Sequence, residues 1–447
     1  MFLHIFNKIY MKRVGVMDWK ELYKQKLTTA EEAVKHIPSN CRVVTGHAAG
    51  EPTVVVDAMT ANYMQYENVE VVHMVAMGSC GYCRPEMKGH LRHNALFVGG
   101  GTREAVYDGR ADFSPTFFYE VPRLFKTELP VDVALIQVSP PDNHGYCSYG
   151  ISCDFTKPAA DCARLIIAQI NDQMPRTFGD NFIHVSDIDY IVEVSEPLLE
   201  LQPPEIGEVE RAVGKYCAEL IEDGSTLQLG IGAIPDAVLL SLRDKKDLGI
   251  HSEMFSDGVV ELYNMGVINN SKKSIHKGKM VVTFLMGTKK LYEFVNDNPE
   301  VEMYPVDYVN DPMVVMKNKK MVSINSCLQV DLMGQICAES IGLKQFSGVG
   351  GQVDYIRGTA MSEDGISIIA MPSTASKGKL SRIVPVLDSG SAVTTSRNDV
   401  QYIVTEYGIA NLKGKTLKQR AEALIKIAHP DFREDLSKEY ESRFNGK

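Results

Sequence analysis

Long apolar runs are absent from this sequence, and no stretch approaches the roughly twenty residues that a membrane-spanning helix requires. Residues 1–10 are apolar, but no basic leader precedes them and no small-residue cleavage site follows, so they make a poor signal peptide. The sequence therefore predicts a protein that neither spans a membrane nor carries an export signal.

Cysteine occurs nine times, an odd number scattered along a long chain, which is not the pattern of a disulfide framework. Cys80 and Cys83 form a single Cys-x-x-Cys pair, but no second pair and no histidine pair follows at zinc-site spacing. We therefore expect reduced thiols, a cytoplasmic location and no bound metal.

Positive charge is in deficit, since 47 lysines and arginines face 57 aspartates and glutamates and the net charge is −10. This balance argues against nucleic acid as a general partner. It does not exclude a local basic patch on the protein that binds a phosphorylated cofactor. A complete Gly-x-Gly-x-x-Gly motif is also missing, because residues 230–235 read Gly-Ile-Gly-Ala-Ile-Pro. That departure disfavours an NAD-dependent enzyme.

The 447 residues exceed what one hydrophobic core usually supports, so two domains are expected. Pro203 and Pro204 form the best linker and divide the chain into an N-terminal domain, residues 17–202, and a C-terminal domain, residues 203–447. Residues 1–16 are interpreted as a disordered N-terminal extension.

Short continuous apolar runs alternate with helical patterns in both halves, which is typical of strands covered on both faces of a parallel sheet. Residues 131–138 and 165–170 are clear examples, and residues 95–98 and 306–310 are also predicted as strands. The predicted fold class is α/β, with two similar open domains and mostly parallel sheets. An internal duplication is expected because residues 42–59 and 227–240 both give a strand, a glycine turn, a proline and an apolar helix.

Residues 225–258 carry the strongest indication of chemistry. A buried strand leads into a glycine turn at Gly230 and Gly232 and then into a helix, an arrangement that suits an anion or a developing oxyanion. About twenty residues later a second apolar run ends in Glu253, a lone carboxylate. It is a candidate nucleophile, and the backbone N–H groups of the glycine turn are the candidate oxyanion donors beside it. The same carboxylate could instead be solvated or cap the next element, and His47 and His144 are open candidates for acid/base groups.

Three blocks in order, residues 230–253, 348–358 and 405–414, resemble the acetyl-CoA hydrolase/transferase family, a branch of the CoA-transferases. The similarity extends from about residue 17 to the C-terminus. It implies Glu253 as a covalent nucleophile in a ping-pong reaction through an acyl-glutamyl anhydride and a glutamyl-CoA thioester. It also implies CoA thioesters as substrates, no permanently bound cofactor, and a homodimer.

The resemblance further implies roles for individual residues. It implies that eight residues bind the oxyanion or CoA, namely Gly230, Ile231, Gly232, Ala233, Ile234, Gly350, Gly351 and Lys377. It puts Asn310 and Glu406 near the reacting centre. The implied donor is acetyl-CoA and the implied acceptor is 4-hydroxybutyrate, with butyrate, propionate or succinate as alternative acids and hydrolysis as an alternative reaction.

Overall fold

A computed structural model describes residues 18–444 of the chain, so the extension predicted for residues 1–16 lies outside the described residues. The helices of the described chain are α1 Trp19–Lys26, α2 Ala30–Ala33, α3 Thr53–Ala61, α4 Arg103–Tyr107, α5 Val121–Lys126, α6 Thr156–Cys162, α7 Glu208–Glu219, α8 Ala233–Leu240, α9 Asp257–Asn264, α10 Lys289–Val295, α11 Val306–Val309, α12 Pro312–Val315, α13 Gln352–Met361, α14 Leu417–Ile427 and α15 Pro430–Phe444.

The strands divide between the two halves of the chain. Those of the first half are β1 Arg42–Thr45, β2 Val69–His73, β3 Leu91–Ala95, β4 Ala111–Phe113, β5 Val133–Val138, β6 Tyr146–Ser148, β7 Leu165–Asn171, β8 Phe178–Gly179, β9 Phe182–His184 and β10 Tyr190–Val194. Those of the second half are β11 Thr226–Leu229, β12 Gly249–Ile250, β13 Met280–Val282, β14 Val301–Met303, β15 Met321–Asn325, β16 Gln329–Asp331, β17 Ile336–Cys337, β18 Ser340–Ile341, β19 Lys344–Gln345, β20 Ile366–Ala370, β21 Thr374–Ala375, β22 Leu380–Ser381, β23 Ile383–Val384, β24 Tyr402–Thr405 and β25 Gly408–Asn411.

The main sheet of the first half has seven strands in the order β10-β7-β5-β1-β2-β3-β4, and all of them run parallel. Every residue of β5, an interior strand of this sheet, is buried. Layers therefore cover both faces of the sheet, which is why its strands are continuous apolar runs rather than alternating ones.

The second half repeats this order. Its main sheet runs β12-β11-β15-β20-β24-β25, parallel except for the β24–β25 hairpin, and β13 and β14 form a parallel pair beside it. A parallel bridge between His251 and Val281 joins the end of β12 to β13. The resulting order β14-β13-β12-β11-β15-β20-β24 matches β4-β3-β2-β1-β5-β7-β10, so the predicted α/β fold and its internal duplication are confirmed.

The register of the repeated strands gives a residue-level correspondence between the halves. Val44 pairs with Val72 two residues before Gly46, and Leu227 pairs with Ile250 three residues before Gly230. Counted forward along both strands from these pairs, Met74 corresponds to Gly46, and Glu253 corresponds to Gly230. By this count Met74 of the first half corresponds to Glu253 of the second half.

The two halves share strands and a hydrophobic core. β8 of the first half pairs in parallel with β14 of the second half. Phe118 and Phe155 from the first half belong to the same buried cluster as Leu227 and Phe284 from the second. Residues 195–207, which include the predicted linker, have no regular secondary structure.

Two strand predictions were wrong. Residues 306–309 form helix α11, whose last turn has the N–H of Val309 and Asn310 bonded to the carbonyls of Pro305 and Val306. The valines there fit a strand, but the fixed φ of Pro305 and the packing around this turn override that preference. Residues 96–98 lie beyond the end of β3, where the N–H of Val98 bonds to Ser347 in the second half.

Candidate active site

The glycine turn follows the central strand of the second half as predicted. Gly232 has φ +116° and ψ −179°, a conformation that a residue with a side chain rarely adopts, and it forms the N-cap of α8. The helix begins at Ala233, two residues before Pro235, so the proline lies in the first turn where its missing N–H costs nothing. Ile231 is exposed, whereas Ile234 is buried under the helix.

Residues 251–253 each hold a different neighbouring element. His251 Nε2 donates to the carbonyl of Val309, 2.9 Å away, at the end of α11. The Ser252 hydroxyl bonds the backbone of Leu229 at the end of β11, both as donor and as acceptor at 3.2 Å. The Glu253 carbonyl accepts from the N–H groups of Thr283 and Phe284. The backbone of Glu253 is therefore fixed on three sides.

The Glu253 carboxyl group is held by Asn310 and Gly351. Asn310 Nδ2 donates to Glu253 Oε2 at 2.8 Å, and the backbone of Gly351 hydrogen-bonds the same carboxyl group. A Cβ atom built on Gly351 would lie 1.9 Å from Glu253 Oε2 and 2.4 Å from Asn310 Nδ2. Only a residue without a side chain allows the carboxylate to occupy this position.

Burial raises the pKa of the Glu253 carboxyl to about 7, although the hydrogen bond from Asn310 and the nearby His47 ring oppose the shift. At neutral pH the group is therefore divided between its acid and carboxylate forms. Only the carboxylate is a nucleophile, and its basicity is higher than that of an ordinary glutamate.

Asp354 on α13 is a second acidic group beside Glu253. Its Oδ2 accepts from the N–H of Tyr119 at 3.1 Å and from Asn310 Nδ2 at 3.4 Å, while its Oδ1 has no hydrogen-bond partner. Burial, reinforced by the charge of Glu253, raises the pKa of Asp354 well above its usual range. Asn310 thus shares its amide hydrogens between two buried acids, Glu253 and Asp354. The sequence did not single out Asp354, because nothing local marks a helical aspartate as facing another carboxyl group.

Glu253 opens into a cavity of about 310 Å³ between the two halves of the chain. The first half contributes His47, Met74, Val75, Phe97 and Phe118, and the second half contributes Phe284, Met286 and the glycines at positions 230, 348, 350 and 351. The volume is at the lower end for a small-molecule site, and the lining is mainly apolar with a few polar groups.

A second cavity of about 150 Å³ adjoins the first, and Ile231 and Met286 line both. Pro203 and Pro204 of the linker line it, as does Gly232. The predicted residues Gly230, Ile231 and Gly232 therefore extend from the carboxylate cavity into its neighbour.

The predicted site residues do not all come together. Glu253, Asn310 and Gly351 are in direct contact, and Gly230, Ile231 and Gly350 line the same cavity. Lys377 is exposed at the tip of the β21–β22 hairpin, with φ +58°. Glu406 accepts hydrogen bonds from the N–H and hydroxyl of Ser373 at 2.8 and 2.5 Å. Neither Lys377 nor Glu406 is among the described residues that line either cavity.

The two histidine candidates have different surroundings. His144 is exposed in a loop. His47 is 1 % exposed, lines the cavity with Glu253, and contacts Asp154 through Nδ1 at 3.1 Å. From the sequence, His47 was only one of two open candidates for an acid/base group, because its partner Asp154 is more than a hundred residues away along the chain.

Residues 11–200 match the acetyl-CoA hydrolase/transferase N-terminal domain, and residues 287–440 match the C-terminal domain of that family. The chain belongs to the acetyl-CoA hydrolase/transferase family. The resemblance inferred from three sequence blocks is therefore confirmed over most of the chain. Glu253 and the glycine turn at Gly230 and Gly232 lie between the two matched segments.

Similar proteins include several CoA-transferases. The chain is 68% identical over 429 residues to a 4-hydroxybutyrate coenzyme A transferase of Clostridium kluyveri, covering 96% of this chain and 100% of that protein. It is 48% identical to a succinyl-CoA:cyclohexane-1-carboxylate CoA transferase of Geobacter metallireducens, covering 94% of this chain and 96% of the relative. The crystal structure of a 4-hydroxybutyrate CoA-transferase from Porphyromonas gingivalis superposes with a TM-score of 0.84 at 48% identity, over 96% of this chain and 100% of that one.

Across residues 18–444, no helix has both the length and the apolar character needed to cross a membrane. The same residues contain no cluster of three or more histidine, cysteine, aspartate or glutamate side chains arranged to hold a metal ion.

Proposed function

We propose that this protein is a CoA-transferase that moves CoA from acetyl-CoA to 4-hydroxybutyrate, with Glu253 as its covalent nucleophile. The observation that carries the proposal is the Glu253 carboxyl group, fixed by Asn310 and Gly351 at the wall of a small apolar cavity and given a pKa of about 7 by burial. The choice of 4-hydroxybutyrate rests on the names of the similar transferases, and the choice of acetyl-CoA rests on the name of the family.

The first half-reaction transfers CoA to the protein. The free oxygen of Glu253 attacks the acetyl carbonyl carbon, the carbon–sulfur bond breaks, and CoA leaves as a thiolate from an acetyl-glutamyl anhydride. The thiolate then attacks the glutamyl carbonyl carbon and expels acetate, which leaves a glutamyl-CoA thioester. No proton is consumed or released.

The second half-reaction is the reverse with another acid. The carboxylate of 4-hydroxybutyrate attacks the glutamyl thioester, the thiolate leaves, and a mixed anhydride forms again. Attack of the thiolate on the 4-hydroxybutyryl carbonyl gives the new CoA thioester and restores the Glu253 carboxylate.

Asn310 and Gly351 serve these steps directly. Glu253 Oε2 accepts from Asn310, so Oε1 is the oxygen that attacks. When the thiolate attacks the glutamyl carbon, negative charge builds on the oxygen beside Asn310, and one such preorganised donor is typically worth about 3 kcal/mol. Backbone groups at Gly230 and Gly350, which line the same cavity, are proposed to hold the oxyanion of the acyl group.

CoA is proposed to be a substrate rather than a resident cofactor, with its pantetheine arm passing residues 230–234 into the adjoining cavity. The support for this path is that Ile231 and Gly232 line the second cavity. The predicted roles of Lys377 with CoA and of Glu406 near the reacting centre stay predictions. A homodimer in the cytoplasm is likewise proposed, and the nine free cysteines of the described chain fit a reducing compartment.

Intact-protein mass spectrometry after incubation with acetyl-CoA tests the nucleophile. We expect a CoA adduct that borohydride reduces to an alcohol on the peptide containing Glu253, and no adduct on a Glu253→Gln variant. Turnover without an adduct on this peptide would remove Glu253 from the proposal.

Thiol release with and without an acceptor acid tests the reaction type. A transferase releases free CoA slowly from acetyl-CoA alone and forms 4-hydroxybutyryl-CoA when 4-hydroxybutyrate is added. Rapid release of free CoA that the acid does not suppress would make the protein a hydrolase on the same scaffold. Butyrate, propionate and succinate in parallel reactions determine which acid is preferred.

A further inference from the structure

His47 lines the cavity that contains Glu253, and one of its ring nitrogens is buried without a hydrogen-bond partner among the described residues. The residue is 1 % exposed, and its Nε2 atom has no hydrogen-bond partner in the described structure. Leaving a buried polar atom unpaired is costly, so its natural partner is a group that enters the cavity.

Asp154 fixes the orientation of the His47 ring. Its carboxyl group accepts from the Ser152 hydroxyl at 2.7 Å, from the N–H groups of Phe155 and Thr156 at 2.6 and 3.1 Å, and from the Thr156 hydroxyl at 3.2 Å. With four other donors present, Asp154 accepts from His47 rather than donating to it. His47 Nδ1 therefore carries a hydrogen in either charge state, and Nε2 is an acceptor in the neutral ring and a donor in the charged ring.

The His47 ring lies among aromatic side chains. Its ring packs against Phe284, Phe155 and Phe118, with centroids 4.6, 5.2 and 5.8 Å away. Among the described residues that line the cavity, His47 and Glu253 are the only two with ionisable side chains. One belongs to the first half of the chain and the other to the second.

We propose that His47 determines the acid specificity of this site by hydrogen-bonding, through Nε2, the distal hydroxyl of a short hydroxy acid whose carboxylate reacts at Glu253. The proposal rests on the proposed function, and deepens it by assigning the group that recognises the far end of the substrate.

A hydroxyl group suits this position better than the other ends that a short acid can offer. It donates to the neutral ring and accepts from the charged ring, so it pairs with Nε2 in both states. A second carboxylate pairs only with the charged ring, and a methyl group pairs with neither. We therefore expect a preference for 4-hydroxybutyrate over butyrate on the order of 10- to 100-fold in kcat/KM, the factor typical of leaving one buried polar atom unpaired.

The test compares kcat/KM for the two acids, with acetyl-CoA as donor, in the wild type and in His47→Leu. Leucine removes the nitrogen and keeps an apolar side chain among the phenylalanines. We expect His47→Leu to lower the ratio of kcat/KM for 4-hydroxybutyrate to kcat/KM for butyrate by about 10- to 100-fold. The ratio is the readout because the His47 ring also lowers the pKa of Glu253, an effect that is common to both acids. His47→Gln, which keeps a polar group near the position of Nε2, should retain more of the preference for the hydroxy acid. His144→Leu, at an exposed histidine of the same half, should leave the preference unchanged.

Equal losses with both acids in His47→Leu would overturn the proposal, because Nε2 would then act on the reacting carboxylate or on the fold. An unchanged preference in a folded His47→Leu variant would overturn it as well. If this variant does not fold, the wild type decides the question, since equal kcat/KM for the two acids excludes recognition of the hydroxyl. Absence of a glutamyl-CoA adduct in the wild type would reject the proposed function itself, whereas an adduct without acid preference rejects only the role of His47.

Discussion

At the scale of single residues, Gly351 is the position where the addition of one methyl group should have the largest effect on activity. Its φ and ψ, −91° and 6°, are accessible to alanine, so the backbone does not require glycine. The requirement comes from the Glu253 and Asn310 atoms that a methyl group would meet at 1.9 and 2.4 Å.

Gly351→Ala should therefore displace the Glu253 carboxyl group and lower the rate of glutamyl-CoA formation by at least about 100-fold, the usual cost of moving a reacting group by an ångström. Thermal unfolding and the rate of adduct formation measure the two effects separately. Gly100→Ala is a matched control, because Gly100 is exposed, does not have positive φ and has no atom within 4 Å of the added Cβ. An active Gly351→Ala variant would mean that Glu253 reacts from another position.

The raised pKa of Glu253 predicts a pH-dependent first half-reaction. Because only the carboxylate attacks, the rate of glutamyl-CoA formation should rise with pH and level off above about 7. Below that value the rate should fall about tenfold per pH unit. Rapid-mixing kinetics from pH 5 to pH 9 measure the profile, and a rate that stays constant down to pH 5 would contradict the assigned pKa.

Ionisation of Glu253 should lower the free energy of unfolding of the protein. The folded pKa of Glu253, about 7, is above that of an unfolded glutamate, so the folded state binds the proton more tightly. The stabilisation from the neutral form is fully present below the unfolded pKa and is lost as the pH rises through about 7. Glu253→Gln, which cannot ionise, should raise the free energy of unfolding by about 1–3 kcal/mol at pH 8 and by much less at pH 5. Urea unfolding at both pH values checks this, and equal effects would contradict it.

At the scale of elements, α7 and α8 approach each other at Gly214. This glycine lies inside α7, where alanine is ordinarily the better helix former by about 1 kcal/mol. A Cβ atom at this position would lie 2.5 Å from the carbonyl oxygen of Ala237 in α8 and 2.6 Å from its carbonyl carbon. The close packing of the two helices fixes α8 behind the glycine turn at its N-terminus.

Gly214→Ala should consequently destabilise the protein by about 1–3 kcal/mol, because the backbone of α8 cannot yield as a flexible side chain would. Chemical denaturation measures the loss. Lys215→Ala, at the exposed neighbouring position of the same helix, should stay within about 0.5 kcal/mol of the wild type. A gain in stability at Gly214 would show that helix propensity outweighs the contact.

The elements also show which parts of the site could be read from the sequence. The strand, glycine turn and helix around Gly230 are encoded locally, by an apolar run, two glycines and a proline, so their prediction succeeded. Asn310 was assigned to a strand although it ends a helix, since valines beside it fit either structure. Asp354 and the pair formed by His47 and Asp154 depend on contacts between residues distant in the chain, and no local pattern reveals such contacts.

At the scale of the whole molecule, the predicted boundary between residues 202 and 203 falls in a segment without regular structure, yet the halves on its two sides are not independent. β8 supplies a strand to β14, and apolar side chains of both halves form one core. We expect a protein cleaved at a protease site inserted after Pro204 to elute as one species in native buffer and to separate only in urea. The uncleaved protein with the same insertion is the control, and separate elution of two folded halves would contradict the shared core.

The correspondence between Met74 and Glu253 has a consequence for how such a protein changes over time. One copy of the duplicated unit carries the carboxylate that is proposed to react, while the other places the thioether of Met74 at the same cavity. Selection can therefore alter the acid that is accepted through substitutions in one copy, and the reactive group in the other copy stays untouched. Libraries for new acids are best confined to residues 74, 75, 97 and 118 of the first-half wall, because His47 also acts on the pKa of Glu253.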